Sequence, residues 1–151
     1  MSDLDLTETP LFYNISINLA QTYLLLNQKE KAFDIASSIS NIQRISKVTL
    51  AEAEACLANY YSKQNNLELS INYYNLAFNN YSESKGEVNE FCRICTKNLG
   101  KILIKKKEYN TALEFYEKSL EICTGLGNQN FIDTTRSEFE KLRDFAQDKF
   151  L

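Results

Sequence analysis

Four cysteines and a basic run are the residues of this chain whose types could do chemistry. Cys92 and Cys95 form a C-x-x-C, Cys56 and Cys123 stand alone, and histidine is absent. A structural zinc site needs four ligands, usually from two close pairs, and only one pair is present. That pair also lies inside a helical pattern. The spacing favours reduced thiols packed as small hydrophobes in a reducing intracellular compartment, with zinc or redox chemistry as the rival. Without histidine there is no Ser-His-Asp or Cys-His arrangement and no metalloprotease H-E-x-x-H. No glycine-rich phosphate loop or dinucleotide turn occurs either. The expectation is a protein that is not an enzyme and takes no cofactor and no metal.

The basic run is Arg93, Lys97, Lys101 and Lys105. Spacing of four sets these side chains in one stripe along a helix. Like charges one turn apart repel by about 0.2–0.5 kcal/mol per pair, so a stripe that bears this repulsion suits an acidic partner. The other reading is a solvated face, since Lys105-Lys106-Lys107 is the kind of run that ends helices, where cations complement the dipole. The pairs Tyr60-Tyr61 and Tyr73-Tyr74 likewise suit either core packing or a binding hot spot. The acidic overall balance disfavours base stacking on them.

What must position these residues is a helical framework. The 151 residues hold 44% hydrophobic and 25% charged side chains, ordinary values for a chain that buries a core. Proline occurs once and glycine four times, too few for a sheet-rich fold with many turns. A net charge of −3 makes no electrostatic case for nucleic acid or an anionic membrane surface. No window approaches the roughly 20 apolar residues of a spanning helix. The acidic start lacks the basic and apolar regions of a secretory signal. A soluble, cytoplasmic protein is expected.

Internal repetition organises the chain. Leu99-Gly100, Leu103, Ala112, Tyr116 and Ser119 share their offsets with Leu57-Ala58, Tyr61, Ser70, Tyr74 and Ala77. Leu19-Ala20, Tyr23, Ala32, Ala36 and Ile39 form a third, poorer copy near the N-terminus. Small residues at Ala20, Ala58 and Gly100 face Ala32, Ser70 and Ala112 twelve positions on, which lets two antiparallel helices approach closely. One such pair cannot cover its apolar face, so neighbours must stack. The pattern resembles the tetratricopeptide repeat, L-G/A-x-x-Y followed by A-x-x-x-F/Y-x-x-A, in its roughly 40-residue variant. The resemblance covers nearly the whole chain. It implies an all-α fold of three tandem helical hairpins, at about 13–46, 51–84 and 93–126, wound as a right-handed superhelical solenoid. A tail at 1–9 precedes them and a capping helix at 129–149 follows. The spacing predicts helices over 10–26, 29–43, 47–64, 67–83, 87–106, 109–124 and 129–149. Thr9-Pro10 opens the first, Asn27 and Asn65 sit at hairpin turns, and Gly125 and Gly127 end the sixth.

The resemblance also implies where function sits. First helices of successive repeats line a concave groove, and the corresponding stripe is Ile17, Gln21 and Leu25, with Tyr13 before them. In repeat 2 it is Ala55, Asn59 and Lys63, preceded by Ala51. In repeat 3 it is Lys97, Lys101 and Lys105, preceded by Arg93. The implied groove is apolar near the N-terminus, small and polar in the middle, and basic near the C-terminus. Asn59, Lys97 and Lys101 match places of the carboxylate clamp that some members use on a peptide terminus, with Lys101 for arginine. Ile17 and Gln21 depart from its lysine and asparagine. The implied function is a scaffold or adaptor that binds another protein or peptide bearing acidic groups. Open-ended stacks also pair through their ends, which allows a homodimer. A second reading is the peptide-sensing domain of a bacterial quorum-sensing regulator, whose repeats are similarly long. No room for the effector domain of such a regulator precedes Pro10, so the chain would be a separated sensor.

Overall fold

The computed structural model describes residues 9–150, which form seven helices: α1 (Pro10–Leu25), α2 (Lys29–Ser40), α3 (Lys47–Lys63), α4 (Leu67–Lys85), α5 (Glu90–Lys105), α6 (Tyr109–Leu126) and α7 (Gln129–Phe150). No strand occurs among the described residues. All but Thr9 of the expected tail lies outside them. The first helix of each pair opens on a side-chain cap. Thr9 Oγ1 accepts from Phe12 N–H at 3.2 Å, Ser46 Oγ from Thr49 at 3.1 Å, and Asn89 Oδ1 from Cys92 at 2.8 Å. Asn128 Oδ1 does the same for α7, accepting from Phe131 at 3.2 Å. Each cap satisfies one of the N–H groups that a helix start leaves without a carbonyl.

Three hairpin turns have one geometry. Asn27, Asn65 and Lys107 adopt φ of 61°, 60° and 64°. The residue after each closes the turn on a carbonyl five back: Gln28 on Tyr23 at 2.8 Å, Asn66 on Tyr61 at 2.8 Å, Glu108 on Leu103 at 2.9 Å. This is the Schellman arrangement, and it leads straight into the second helix. The accepting residues are the repeated Tyr23, Tyr61 and Leu103. The motif therefore fixes the turn as well as the packing.

Several boundaries differ from expectation: α4 runs two residues further, to Lys85, α5 starts three residues late, where Asn89 caps it, and two more differ for local reasons. The second helix stops at Ser40, three residues early; Ser40 Oγ bonds back to Ser37 O at 2.9 Å and Arg44 then turns left-handed at φ 64°. The sixth continues through Gly125 to a left-handed Gly127. A Cβ at Gly125 would stand 2.8 Å from Val88 Cγ1, so glycine here serves close packing, not termination.

The chain divides into two compact units, and the division falls between Asn80 and Tyr81, within α4. In the first unit, Ala20, Leu24, Ala32, Ala36, Cys56 and Leu57 form one buried cluster, and Tyr23, Phe33 and Tyr61 pack against it. Ile17, Ile39 and Ala53 form another. Ser70 and Ala58 meet as their spacing requires: Ser70 Oγ donates to Ala58 O at 2.7 Å, and both residues are wholly buried. The bond gives a hydroxyl inside the interface a partner that a larger side chain would have displaced. In the second unit, the Tyr116 ring lies against Gly100, where a Cβ would come within 2.7 Å of Cε2. Tyr81 stacks on Phe91 at 4.2 Å between centroids. The terminal α7 packs on α6 through Ile132, Thr135, Leu142 and Ala146, with Thr135 Oγ1 3.8 Å from Cys123 Sγ.

Candidate functional site on the first helices

The expected stripes behave alike on α1, α3 and α5. A step of four residues turns about 40° around a helix axis, so such a stripe spirals and does not stay on one face. On α1, Ile17 is 1% exposed and belongs to the core, whereas Gln21 and Leu25 are exposed. Ile17 is thus unavailable to a ligand. On α3, Ala51 is fully buried, Ala55 and Asn59 are half-buried and Lys63 is exposed. On α5, Arg93 is 8% exposed, Lys97 is half-buried, and Lys101 and Lys105 are exposed. Each stripe begins in the core and emerges in the C-terminal half of its helix.

The buried cations are already matched. Arg93 Nε donates to Glu90 Oε2 at 2.9 Å, its Nη2 bonds the other oxygen, and its guanidinium lies 3.9 Å from the Phe131 ring centre. The bond from Arg93 holds the Glu90 carboxyl below its ordinary range. Lys97 Nζ pairs with Glu138 Oε1 at 3.3 Å. Glu138 and Phe131 come from α7, so the terminal helix covers the N-terminal half of the α5 stripe. Glu90, three residues before Arg93, was legible as a helical pair. Glu138 was not, because nothing in the spacing says where α7 lands.

Lys63 also has an internal duty. Its Nζ donates to Leu24 O at 3.2 Å, near the C-terminus of α1, where a cation complements the helix dipole. This ties the adjacent helices α1 and α3 together. Gln21 and Asn59 remain as amides free of intramolecular side-chain hydrogen bonds among the described residues. In the first unit the emergent surface thus offers the Gln21 and Asn59 amides beside Leu25 and a Lys63 already bonded to Leu24 O. In the second it is the cationic pair Lys101 and Lys105.

The thiols offer little chemistry. All four cysteines are free and buried. Burial, with the Glu52 charge adding to it, pushes the Cys56 thiol up to about 12, and burial raises Cys92 and Cys95 as well. Protonated, enclosed thiols are poor nucleophiles and poor metal ligands. No group of three or more cysteine, aspartate and glutamate side chains placed to hold a metal occurs among the described residues.

A family model, the tetratricopeptide repeat, matches residues 49–125, about half of the chain. The chain belongs to the tetratricopeptide repeat family. The match begins near the start of α3 and ends near the end of α6, the stretch with the two clearest copies of the motif. No curated protein gives a significant match. Tetratricopeptide repeats generally mediate protein–protein interaction, and their proteins are typically non-enzymatic scaffolds. No helix among the described residues of this tetratricopeptide chain is long and apolar enough to cross a membrane.

Proposed function

We propose that this chain is a scaffold or adaptor that binds an acidic segment of a partner protein, with Lys101 and Lys105 taking its carboxylates. The observation that carries this reading is the sorting of the α5 cations. Arg93 and Lys97, which have carboxylates beside them, are turned inward, while Lys101 and Lys105 are presented to solvent without one. The emergent surface of α1 and α3 is a contact of its own kind. Gln21 and Asn59 offer donors and acceptors suited to backbone amides, and Ala55 keeps the approach open. The proposed setting is the cytoplasm, which suits four free thiols.

A partner recovered by affinity capture and identified by mass spectrometry supplies the test. Lys101→Glu with Lys105→Glu is expected to weaken its binding about tenfold or more, and wild-type affinity should fall as salt rises. Affinity indifferent to salt and to both substitutions would sink the reading. The alternative, a peptide-sensing domain, draws on the half-buried amide of Asn59, which makes no side-chain hydrogen bond to the described residues. On that reading a short peptide alone would stabilise the chain, by about 2.7 kcal/mol at one hundred times its Kd, and Asn59→Ala would abolish the effect.

A further inference from the structure

The outward face of α1 is apolar and open. Leu11, Ile15, Leu19 and Leu26 are 67%, 58%, 43% and 62% exposed, and Phe12 is 37% exposed beside a groove of about 270 Å³ between α1 and α2. These residues recur at three, four and seven positions, opposite the buried Ile17, Ala20 and Leu24. Apart from the polar strip of Asn14, Asn18 and Gln21, α1 has two apolar faces, and the second calls for a cover as the first does.

The repeat register says what kind of element covers it. The left-handed turn residues Asn27 and Asn65 are 38 positions apart, and the same offset carries Leu11, Ile15 and Leu19 onto Thr49, Ala53 and Leu57 of α3. Those three are 9%, 0% and 3% exposed, on a helix that rests on α2. In the same way α7 rests on α6. The stripe on α1 is therefore the repeat's own docking face for a preceding helix, and the described residues supply none.

We infer that a second copy of this chain covers the stripe, with α1 packed antiparallel on α1 of its partner about a twofold axis near Leu19. Four grounds select this occupant and its arrangement. From Pro10 to Leu25 the helix has no charged residue, so two copies meet without like-charge repulsion, whereas a charged partner would find no complement. Antiparallel pairing also sets each N-terminus beside the other's C-terminus, as the helix dipoles favour. Leu11, Ile15 and Leu26 are each more than half exposed, so the stripe offers a continuous apolar face of the kind that homodimer interfaces, about 65% apolar, bury. Leu19 lies midway between Leu11 and Leu26, where a twofold axis brings a residue against its own copy.

Sedimentation equilibrium of the full chain is expected to give twice the 17.4 kDa mass at tens of micromolar. Ile15→Glu with Leu19→Glu should give the monomer mass with an unchanged helical circular dichroism spectrum. Leu19→Cys should cross-link to itself under mild oxidation, the native thiols being buried. A wild-type monomer would overturn the inference, and a melting temperature lowered by Ile15→Glu and Leu19→Glu would then assign the stripe to residues 1–8. A dimer indifferent to Ile15→Glu and Leu19→Glu would overturn it too, by placing the interface elsewhere.

Discussion

Gly100→Ala should destabilise the protein although alanine is the better helix former. The helix-propensity gain is about 1 kcal/mol. Against it stands the Tyr116 ring, whose Cε2 and Cδ2 would lie 2.7 and 2.8 Å from the new methyl. Tyr116 is 3% exposed, and burial together with the Glu138 charge pushes its phenol up to about 12, so the ring is enclosed and cannot swing into solvent. Overpacking of this kind costs about 1–3 kcal/mol, and contacts this short belong to the upper part of that range. The net loss is about 1–2 kcal/mol, or roughly 2–8 °C in Tm for a chain of this size. Thermal unfolding followed by circular dichroism measures it. In a Tyr116→Leu background the same change should become neutral or stabilising, because the ring is gone while the propensity gain remains. A Gly100→Ala protein that melts higher than wild type would refute the reasoning.

Lys107 holds a left-handed backbone at φ 64° in a turn where the other two repeats use asparagine, so Lys107→Gly should raise stability by about 1 kcal/mol in chemical denaturation. Ser119 Oγ is buried without a hydrogen-bond partner, so Ser119→Ala should be stabilising by up to about 1 kcal/mol, and a loss of that size would reveal a missed partner. Glu54 is 5% exposed and accepts from Asn80 Nδ2 at 2.6 Å, but burial raises its pKa. The folded state then keeps that proton to higher pH than the unfolded chain does, so this carboxyl's contribution falls as pH rises from the ordinary glutamate value through the raised one. Glu54→Gln should therefore be the more stable protein at pH 7, with the advantage vanishing in acid; equal melting curves at pH 7 would contradict it.

Most of the framework was legible because it is set locally. Thr9-Pro10, Asn27 and Asn65 mark helix ends by their own backbone and hydrogen-bonding preferences, and the structure turns at each of them. Ala58 and Ser70 could be paired by spacing alone, since a short turn between antiparallel helices leaves little freedom. The site was less legible. A spacing of four does not hold one face: the 40° drift per step sends Ile17 and Arg93 into the core and leaves Gln21 and Lys101 outside. The neutralisation of Lys97 by Glu138 joins residues 41 positions apart on different helices, and it depends on how α7 docks. Gly125 is the opposite case: its role is set by Val88, a packing neighbour, and not by its own backbone freedom.

The central claim is that the C-terminal halves of the first helices meet the partner. Hydrogen exchange of the chain with and without its captured partner tests this most directly. Slowed exchange should concentrate at residues 21–25 of α1, 55–63 of α3 and 101–105 of α5. Protection confined to the second helices α2, α4 and α6 would contradict it.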